Sequence, residues 1–568
     1  MTAIDLERRQ QRSERIRNWL GLAILGGALA WAVVVVAVRS FGPGSDFSLT
    51  QDKKLIRLVH WQLEGGYVDG MNKAMRDYEK LHPDVVVQQI DIHERAYTQW
   101  VQTQLIGRTA PDLIELRFGG NLLVRYFVPI TDMADRPNPY NNGTELEGLP
   151  WRETYLDGMM GGYQSELQDY YGIPTSCFTV RVYANKDILK KAANCTEPPR
   201  NLGEFLDVCQ KIQDYAKANR LKLVPIAGSD YTAGIFEGTY QSAGMYPLIA
   251  KMDIDLDGGI SDGERLLAEM GGKVDIETDP CWEATHKLQY ELSRYYNPGF
   301  MSAKRDQAVF LFAQGNAAMI ATGTWDAGSI WQQVEGDFEI MIFNFPVPTP
   351  GQKYYDIIKY RLSEAGYATQ GLFGLSKFSR HPEIAIDFMQ FLTSRKINEE
   401  VNAKWRWFPA IRGAKTDELL KNFEPHVDGV YGPFGDVGLN GGPDTVLGYK
   451  QRHMAFISTI PPENVDFDKW LDQHYKKFVH SVKENFTQYY FSDFETYWRN
   501  SYSAGVQTET ALTQARAKAM REGMNTEVQR NLLALTLGQV RRMEGRAVEW
   551  SQYNQARQIH ENKKGDAK

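Results

Sequence analysis

The stretch Phe310–Gly328, FLFAQGNAAMIATGTWDAG, decides the fold. It reads as a helix start, a tight glycine turn, a short apolar run, a second glycine turn, and an aromatic residue followed by an acid. The run Ala317, Ala318, Met319, Ile320 and Ala321 is too short for a free-standing helix, and it suits a strand buried in a parallel sheet. Gly323 then falls at the carboxyl end of that strand, where open α/β sheets bind ligands. Trp325 is expected to project into that crevice. An ordinary core strand with a packing tryptophan has the same spacing, so the run alone does not separate the two.

Outward from this run the chain alternates between two hydrophobic periods. Leu55 to His60 has the pattern of a strand, Tyr67 to Leu81 of an amphipathic helix, and Val85 to Ile92 of a second strand. Tyr97 to Ile106 reads as another helix, and Ala110-Pro111-Asp112 leads into a strand over Leu113 to Leu116. Such an order predicts a parallel sheet with right-handed crossovers. Pro129 to Pro150 is polar and rich in Pro, Asn and Gly, a surface loop, and Leu202 to Asn219 reads as a helix opened by Pro199. No glycine spacing matches a phosphate-cradling loop.

The 568 residues allow two or three domains, and 43% hydrophobic with 24% charged residues is an ordinary globular mix. A net charge of -7 gives no dominant basic face and argues against a nucleic-acid role. Thirteen Trp and 29 Tyr supply flat apolar surfaces of the kind that carbohydrate sites and large cores both use. The four cysteines show no metal spacing; Cys195 with Cys209 is the expected pair if the chain is exported, with four separate thiols as the alternative.

At the N-terminus, Trp19 to Val38 is an uncharged, mostly apolar segment of 20 residues, enough to span the hydrocarbon core of a bilayer as a helix. Arg8, Arg9, Arg12, Arg15 and Arg17 precede it and only Arg39 follows closely, which places residues 1–18 in the cytoplasm and the rest outside. A cleaved signal, giving a secreted form, is the alternative, but its apolar core would be shorter. Residues 39–51 then form a linker.

Asp253 to Glu264 reads D-I-D-L-D-G-G-I-S-D-G-E. Asp253, Asp255 and Asp257 occupy positions one, three and five of an EF-hand calcium loop, with Gly258 at the sharp turn. Gly259 offers its carbonyl, Ser261 its side chain or a bridging water, and Glu264 both carboxylate oxygens, while Ile260 points into the core. With no second such loop, a structural Ca2+ is expected, not a sensor pair.

Several motifs are similar to those of the maltodextrin-binding-like class of extracellular solute-binding proteins of ABC transporters. G-x-x-A-M-x-x-x-G-x-W at Gly315 to Trp325 is one, and DYEKLHP, VVV and APDLIEL near the start are others. Further matches are Y-G-I-P at Tyr171 to Pro174, the strand ending in Asn185-Lys186-Asp187, the helix Pro382 to Ser394, WRWFPAIR after it, and the closing TETALTQARAKAMREGMN. The class has Tyr before that Asn, where this chain has Ala184.

The resemblance implies an α/β, two-lobed periplasmic-binding-protein fold of discontinuous lobes that close on a solute by hinge motion. It assigns 52–176 with 366–415 to the first lobe and 177–365 with 416–530 to the second; 531–568 is a helical extension and tail. Ligand groups are then expected from Trp61, Glu64, Glu115 and Arg117 in the first lobe and Tyr231, Trp325 and Asp326 in the second, with Trp407 from the return segment. The implied ligand is a sugar or oligosaccharide and the implied partner an ABC transporter permease, with the folded part in the periplasm or extracellular space, anchored in the inner membrane. A tethered solute sensor or scaffold is the alternative. A carbohydrate-cleaving enzyme would need two opposed carboxylates, and no motif commits Glu64 and Glu115 to that role.

Overall fold

The structure is a computed structural model that describes residues 53–566, apart from 63–65, 118–119, 165–166, 168, 255, 257–259, 360, 367–368, 429–442, 493 and 525. The expected anchor at Trp19 to Val38 and its flanking segments lie outside the described residues. Among the described residues, no helix is long and apolar enough to cross a membrane.

Two compact units are present. Of the described residues, the smaller comprises 53–57 and Met75–Gln88; within it Lys54 pairs with Asp84 at 3.1 Å, and the Val87 N–H donates to Glu79 at 2.9 Å. The larger comprises Leu58–Ala74 and Gln89–Lys568 and carries every site residue discussed below.

The strands in chain order are β1 (Lys54–His60), β2 (Val85–Asp91), β3 (Leu113–Glu115), β4 (Tyr163–Gln164), β5 (Asp169–Tyr170) and β6 (Ile173–Cys177). There follow β7 (Val180–Asn185), β8 (Val224–Ala227), β9 (Ala317–Gly323), β10 (Ile340–Phe343), β11 (Gln370–Leu375) and β12 (Phe408–Pro409). One sheet runs β12-β6-β11-β3-β1-β2, the other β10-β7-β9-β8, and β4 with β5 makes a small hairpin. The chain passes from the first sheet to the second between Cys177 and Val180 and returns between Phe343 and Gln370.

Both main sheets are mixed, which corrects the expectation of purely parallel ones. β1 runs parallel to β3 and β8 to β9, but β7 is antiparallel to β9 (Val182 opposite Ala321) and β11 antiparallel to both β3 and β6. A strand buried on both faces is apolar throughout whichever way its neighbour points, so composition does not report direction.

All seven residues of β9 are buried. Val182, Ala184, Met319 and Ala321 face one apolar cluster, with Phe205, Phe236 and Leu288. Tyr183, Ala317 and Ile320 face another on the opposite side, with Phe312 and Ile330. Burying Ile320 fully is worth roughly 1.5–3 kcal/mol, which explains why the short run holds as a strand. Phe310, the expected helix start, lies inside the helix Arg305–Ala313 and is 55% exposed.

The helices Asp230–Met252 and Pro280–Ser293 leave the second sheet and continue into a helical layer with Pro443–Ser458, Phe467–Ser492, Phe494–Arg521 and Thr526–Asp566. All four cysteines are free, so the expected Cys195–Cys209 bridge is not formed. Cys209 is wholly buried in the helix Leu202–Ala218, while the Cys195 thiol turns to the carbonyl of Glu197 at 3.1 Å.

Candidate functional site

β9 ends at Gly323, and the helix Thr324–Val334 starts immediately after it. The expected second glycine turn is absent: Gly323 is extended, with φ -99° and ψ 178°. Glycine is needed there for another reason. A Cβ on Gly323 would stand 2.4 Å from ring carbons of Trp325, so the missing side chain lets the indole fold back over the strand end. The Trp325 ring is held edge-on by Phe178 at 5.0 Å and by Tyr231 at 6.3 Å.

Asp326 follows and is only 4% exposed. Thr322 donates its hydroxyl to it at 2.5 Å, and the Arg305 guanidinium lies 3.5 Å away. Burial pushes the Asp326 carboxyl above its ordinary range, and Arg305 acts against that shift. The same Arg305 sits over the Tyr231 ring at 5.7 Å. Tyr231, Trp325 and Asp326 are therefore one assembly, tied together by an arginine that neither periodicity nor motif had singled out.

The first lobe mirrors this arrangement. Trp61, just past β1, stands edge-on to Tyr97 at 4.9 Å, and Arg117 lies over its ring at 5.2 Å. Arg117 is fixed by Glu94 at 2.9 Å. Glu115 is fully buried, accepting the Gln62 amide at 2.6 Å and the Trp61 backbone N–H at 3.3 Å. Its carboxylate thus holds the Trp61 turn from beneath. Glu64 lies outside the described residues.

Trp61 and Trp325 meet across a cavity of about 400 Å³, lined also by Gln62, His93, Glu94 and Gln370, with Arg305 at its edge. It adjoins a larger space of about 1000 Å³ reached by Trp325, Asp326, Lys404, Arg406 and Trp407. Trp407 is 3% exposed and packs on Tyr67 and Trp405, so it shapes the wall more than it offers a face. Arg406 is left-handed (φ 57°) and its Cδ lies 3.3 Å from where a Cβ on Gly328 would be, so the return segment of the first lobe touches a second-lobe helix. Long-range partners such as Arg305, Glu94, Gln62 and Arg406 carry no local sequence signal.

Of the expected calcium loop, Asp255, Asp257, Gly258 and Gly259 lie outside the described residues. Ile260 is buried in the helical layer, as expected for position eight. Ser261 caps the helix Asp262–Met270 through the N–H of Glu264. Glu264 is 1% exposed and folds back into the loop: one oxygen accepts the N–H of Ile254 at 2.7 Å and the other that of Ser261 at 2.8 Å. The first and last turns of the loop therefore already converge on its final carboxylate. Among the described residues, no group of three or more His, Cys, Asp or Glu is placed to hold a metal.

Comparison with known proteins agrees with this architecture. YcjN of Escherichia coli K12, a candidate ABC transporter periplasmic-binding protein, is 25% identical over 182 residues, 32% of this chain and 40% of that protein. An uncharacterized ABC transporter extracellular-binding protein of Pyrococcus horikoshii is 20% identical over 327 residues, 55% of this chain and 65% of that one. The chain thus spans less than two thirds of either relative. Among solved structures, apo RafE of Streptococcus pneumoniae superposes with a TM-score of 0.52 at 14% identity, over 77% of this chain and 98% of that one. The GacH receptor of Streptomyces glaucescens gives 0.51 at 12% identity, over 77% and 98%. The two-lobed α/β fold is that of these proteins. The family described as bacterial extracellular solute-binding protein matches residues 64–399, more than half of the sequence, and the chain belongs to that family.

Proposed function

We propose that this chain is an extracytoplasmic receptor that captures a sugar or oligosaccharide between its lobes, releases it unchanged, and delivers it to an ABC transporter permease. The observation that carries this reading is the pair of tryptophans, Trp61 and Trp325, lining one cavity from opposite lobes, the first under Arg117 and the second against Tyr231, over which Arg305 lies. Indole faces cover the C–H surface of a sugar ring, while Gln62, Gln370 and Glu94 supply hydrogen-bonding groups for hydroxyls. Solved proteins of the same fold include GacH, described in complex with acarbose, and AcbH, described as preferring β-D-galactopyranose (TM-score 0.51). The apolar segment 19–38 would hold the receptor at the membrane with its folded part outside.

The test is a thermal-shift screen of a form beginning at residue 46 against mono-, di- and oligosaccharides, repeated with Trp61→Ala and Trp325→Ala. One class of sugar should raise the melting temperature of the parent and neither variant, and the sugar should be recovered intact. Equal shifts in all three proteins, or consumption of the sugar, would overturn the reading. Pull-down from membranes then separates a permease partner from a signalling one.

We also propose that Asp253 to Glu264 binds a structural Ca2+. The donors are all oxygen, and Glu264, buried at the end of the loop with the N–H groups of Ile254 and Ser261 on its two oxygens, keeps a lone pair on each for an ion. Asp253, Asp255, Asp257, the Gly259 carbonyl, Ser261 and Glu264 would hold the ion. Its charge would offset the repulsion among carboxylates brought together in one turn.

A further inference from the structure

The terminal helix Thr526–Asp566 has 41 residues and touches both lobes. Near its start, Leu535 is 2% exposed and lies in the apolar cluster of the first lobe, with Ile114, Val124, Leu167 and Tyr171. A Cβ on Gly538 would stand 3.3 Å from the Tyr171 hydroxyl, so the helix backbone runs close against that lobe. Arg541 donates to the Leu167 carbonyl at 2.7 Å and faces Asp169 at 3.7 Å.

Further along, the same helix is seated on the layer that extends the second lobe. Tyr553 and Ala556 are buried there with Leu266, Met270 and Trp282. A Cβ on Gly263 would meet the Glu549 carbonyl at 2.6 Å, and Lys563 donates to the Met270 carbonyl at 2.9 Å. That layer is continuous with the second sheet, because the helices Asp230–Met252 and Pro280–Ser293 contribute side chains to both clusters.

From Gly538 to Lys563 is 25 residues of one helix, a rigid rod of roughly 38 Å. We propose that this helix is a strut: it fixes the angle between the lobes in the ligand-free protein, and closure requires its first-lobe foot to slide or lift. The foot on the first lobe is the lighter one, resting on Leu532, Leu535, Gly538 and Arg541, with Leu512 of the neighbouring helix Phe494–Arg521 beside it. The second foot is set among a broad aromatic and aliphatic cluster. Movement therefore begins at Arg541, while the far end stays docked. The inference rests on the two-lobed hinge of the proposed receptor but not on its ligand.

The test uses the ligand-free full chain in detergent, spin-labelled at the exposed positions Gln102→Cys in the first lobe and Lys217→Cys in the second. Cys195→Ser removes the one native thiol that is not buried. Pulsed dipolar spectroscopy then reads the distribution of distances between lobes. The parent and an exposed control on the strut, Gln555→Ala, should give the same narrow distribution. Arg541→Ala and Gly538→Val should widen it by several ångströms with an unchanged far-UV dichroism spectrum. A distribution as narrow as the parent's in folded Arg541→Ala would overturn the strut. If Gly538→Val fails to fold, Arg541→Ala alone decides, since it removes only a bond to a backbone carbonyl and a long ion pair. No sugar enters the measurement, so failure to bind carbohydrate leaves its outcome readable.

Discussion

Lowering the pH from 7.5 to 5 should cost the fold about 4 kcal/mol through two side chains, His286 and His453. Both are buried in the helical layer, with ring centroids 5.8 Å apart. His286 bonds the Trp282 carbonyl through Nδ1 at 2.8 Å and the Tyr449 hydroxyl through Nε2 at 2.9 Å, and His453 bonds the Gln289 amide oxygen at 2.9 Å. Trp282, Tyr449, Tyr475 and Phe478 surround the His286 ring. Burial holds His286 near a pKa of about 4 and His453, with His286 beside it, near about 3. An unfolded histidine titrates near 6.5. The folded values are therefore depressed, and the stability owed to the neutral rings is present in full above pH 6.5 and lost as pH falls below it. At pH 5 each ring accounts for about 2 kcal/mol of that loss, and both are fully buried, so no solvent discount applies. For the larger compact unit, of roughly 500 residues, this is about 4 °C in melting temperature. The assay is a melting series from pH 8 to 4.5 on the parent and on His286→Gln with His453→Gln. The double variant should start lower but lose much less over the acid range. A variant that loses as many degrees between pH 7.5 and 5 as the parent would refute the argument.

Gly323→Ala should push Trp325 off the strand end, weakening sugar binding at least as much as Trp325→Ala; isothermal titration of both variants, with equal affinity to the parent as the refuting result, checks it. Arg117→Ala breaks a half-exposed ion pair worth at most about 1 kcal/mol, so melting should barely move. Sugar affinity should nonetheless fall roughly tenfold, as expected when an arginine bordering a ligand ring is removed. Calcium titration should raise the melting temperature of the parent and much less that of Glu264→Gln, and equal responses would remove the ion from this loop.

How far the sequence carries the reader depends on the range of the interaction. The burial of β9, the helix Tyr67–Leu81 and the position of Ile260 follow from local patterns, and all three are seen. The direction of β7 and β11 does not follow, because pairing partners lie far away in the chain. Trp61 and Trp325 are legible as candidates through a short glycine-tryptophan spacing and a strand end. Arg117 is named beside them, but its place over the Trp61 ring is set only by the fold, and Arg305, which lies over Tyr231, is not legible at all. Glu115 shows the limit from the other side: an acid at a strand end suggests a ligand contact, and nothing local shows that it is fully buried with the Gln62 amide and the Trp61 backbone as donors.

The helices Asp230–Met252 and Pro280–Ser293 share a core with residues as late as Val482 and Ala556. On the ribosome, the first of these partners to matter emerges long after Ser293. At about 5–20 residues per second, Val482 follows some 10–40 seconds later. For that interval the nascent second lobe carries an uncovered greasy flank at Trp282 and Tyr290. Chains truncated before residue 443 should accordingly be captured by chaperones or precipitate, however complete their ligand pocket.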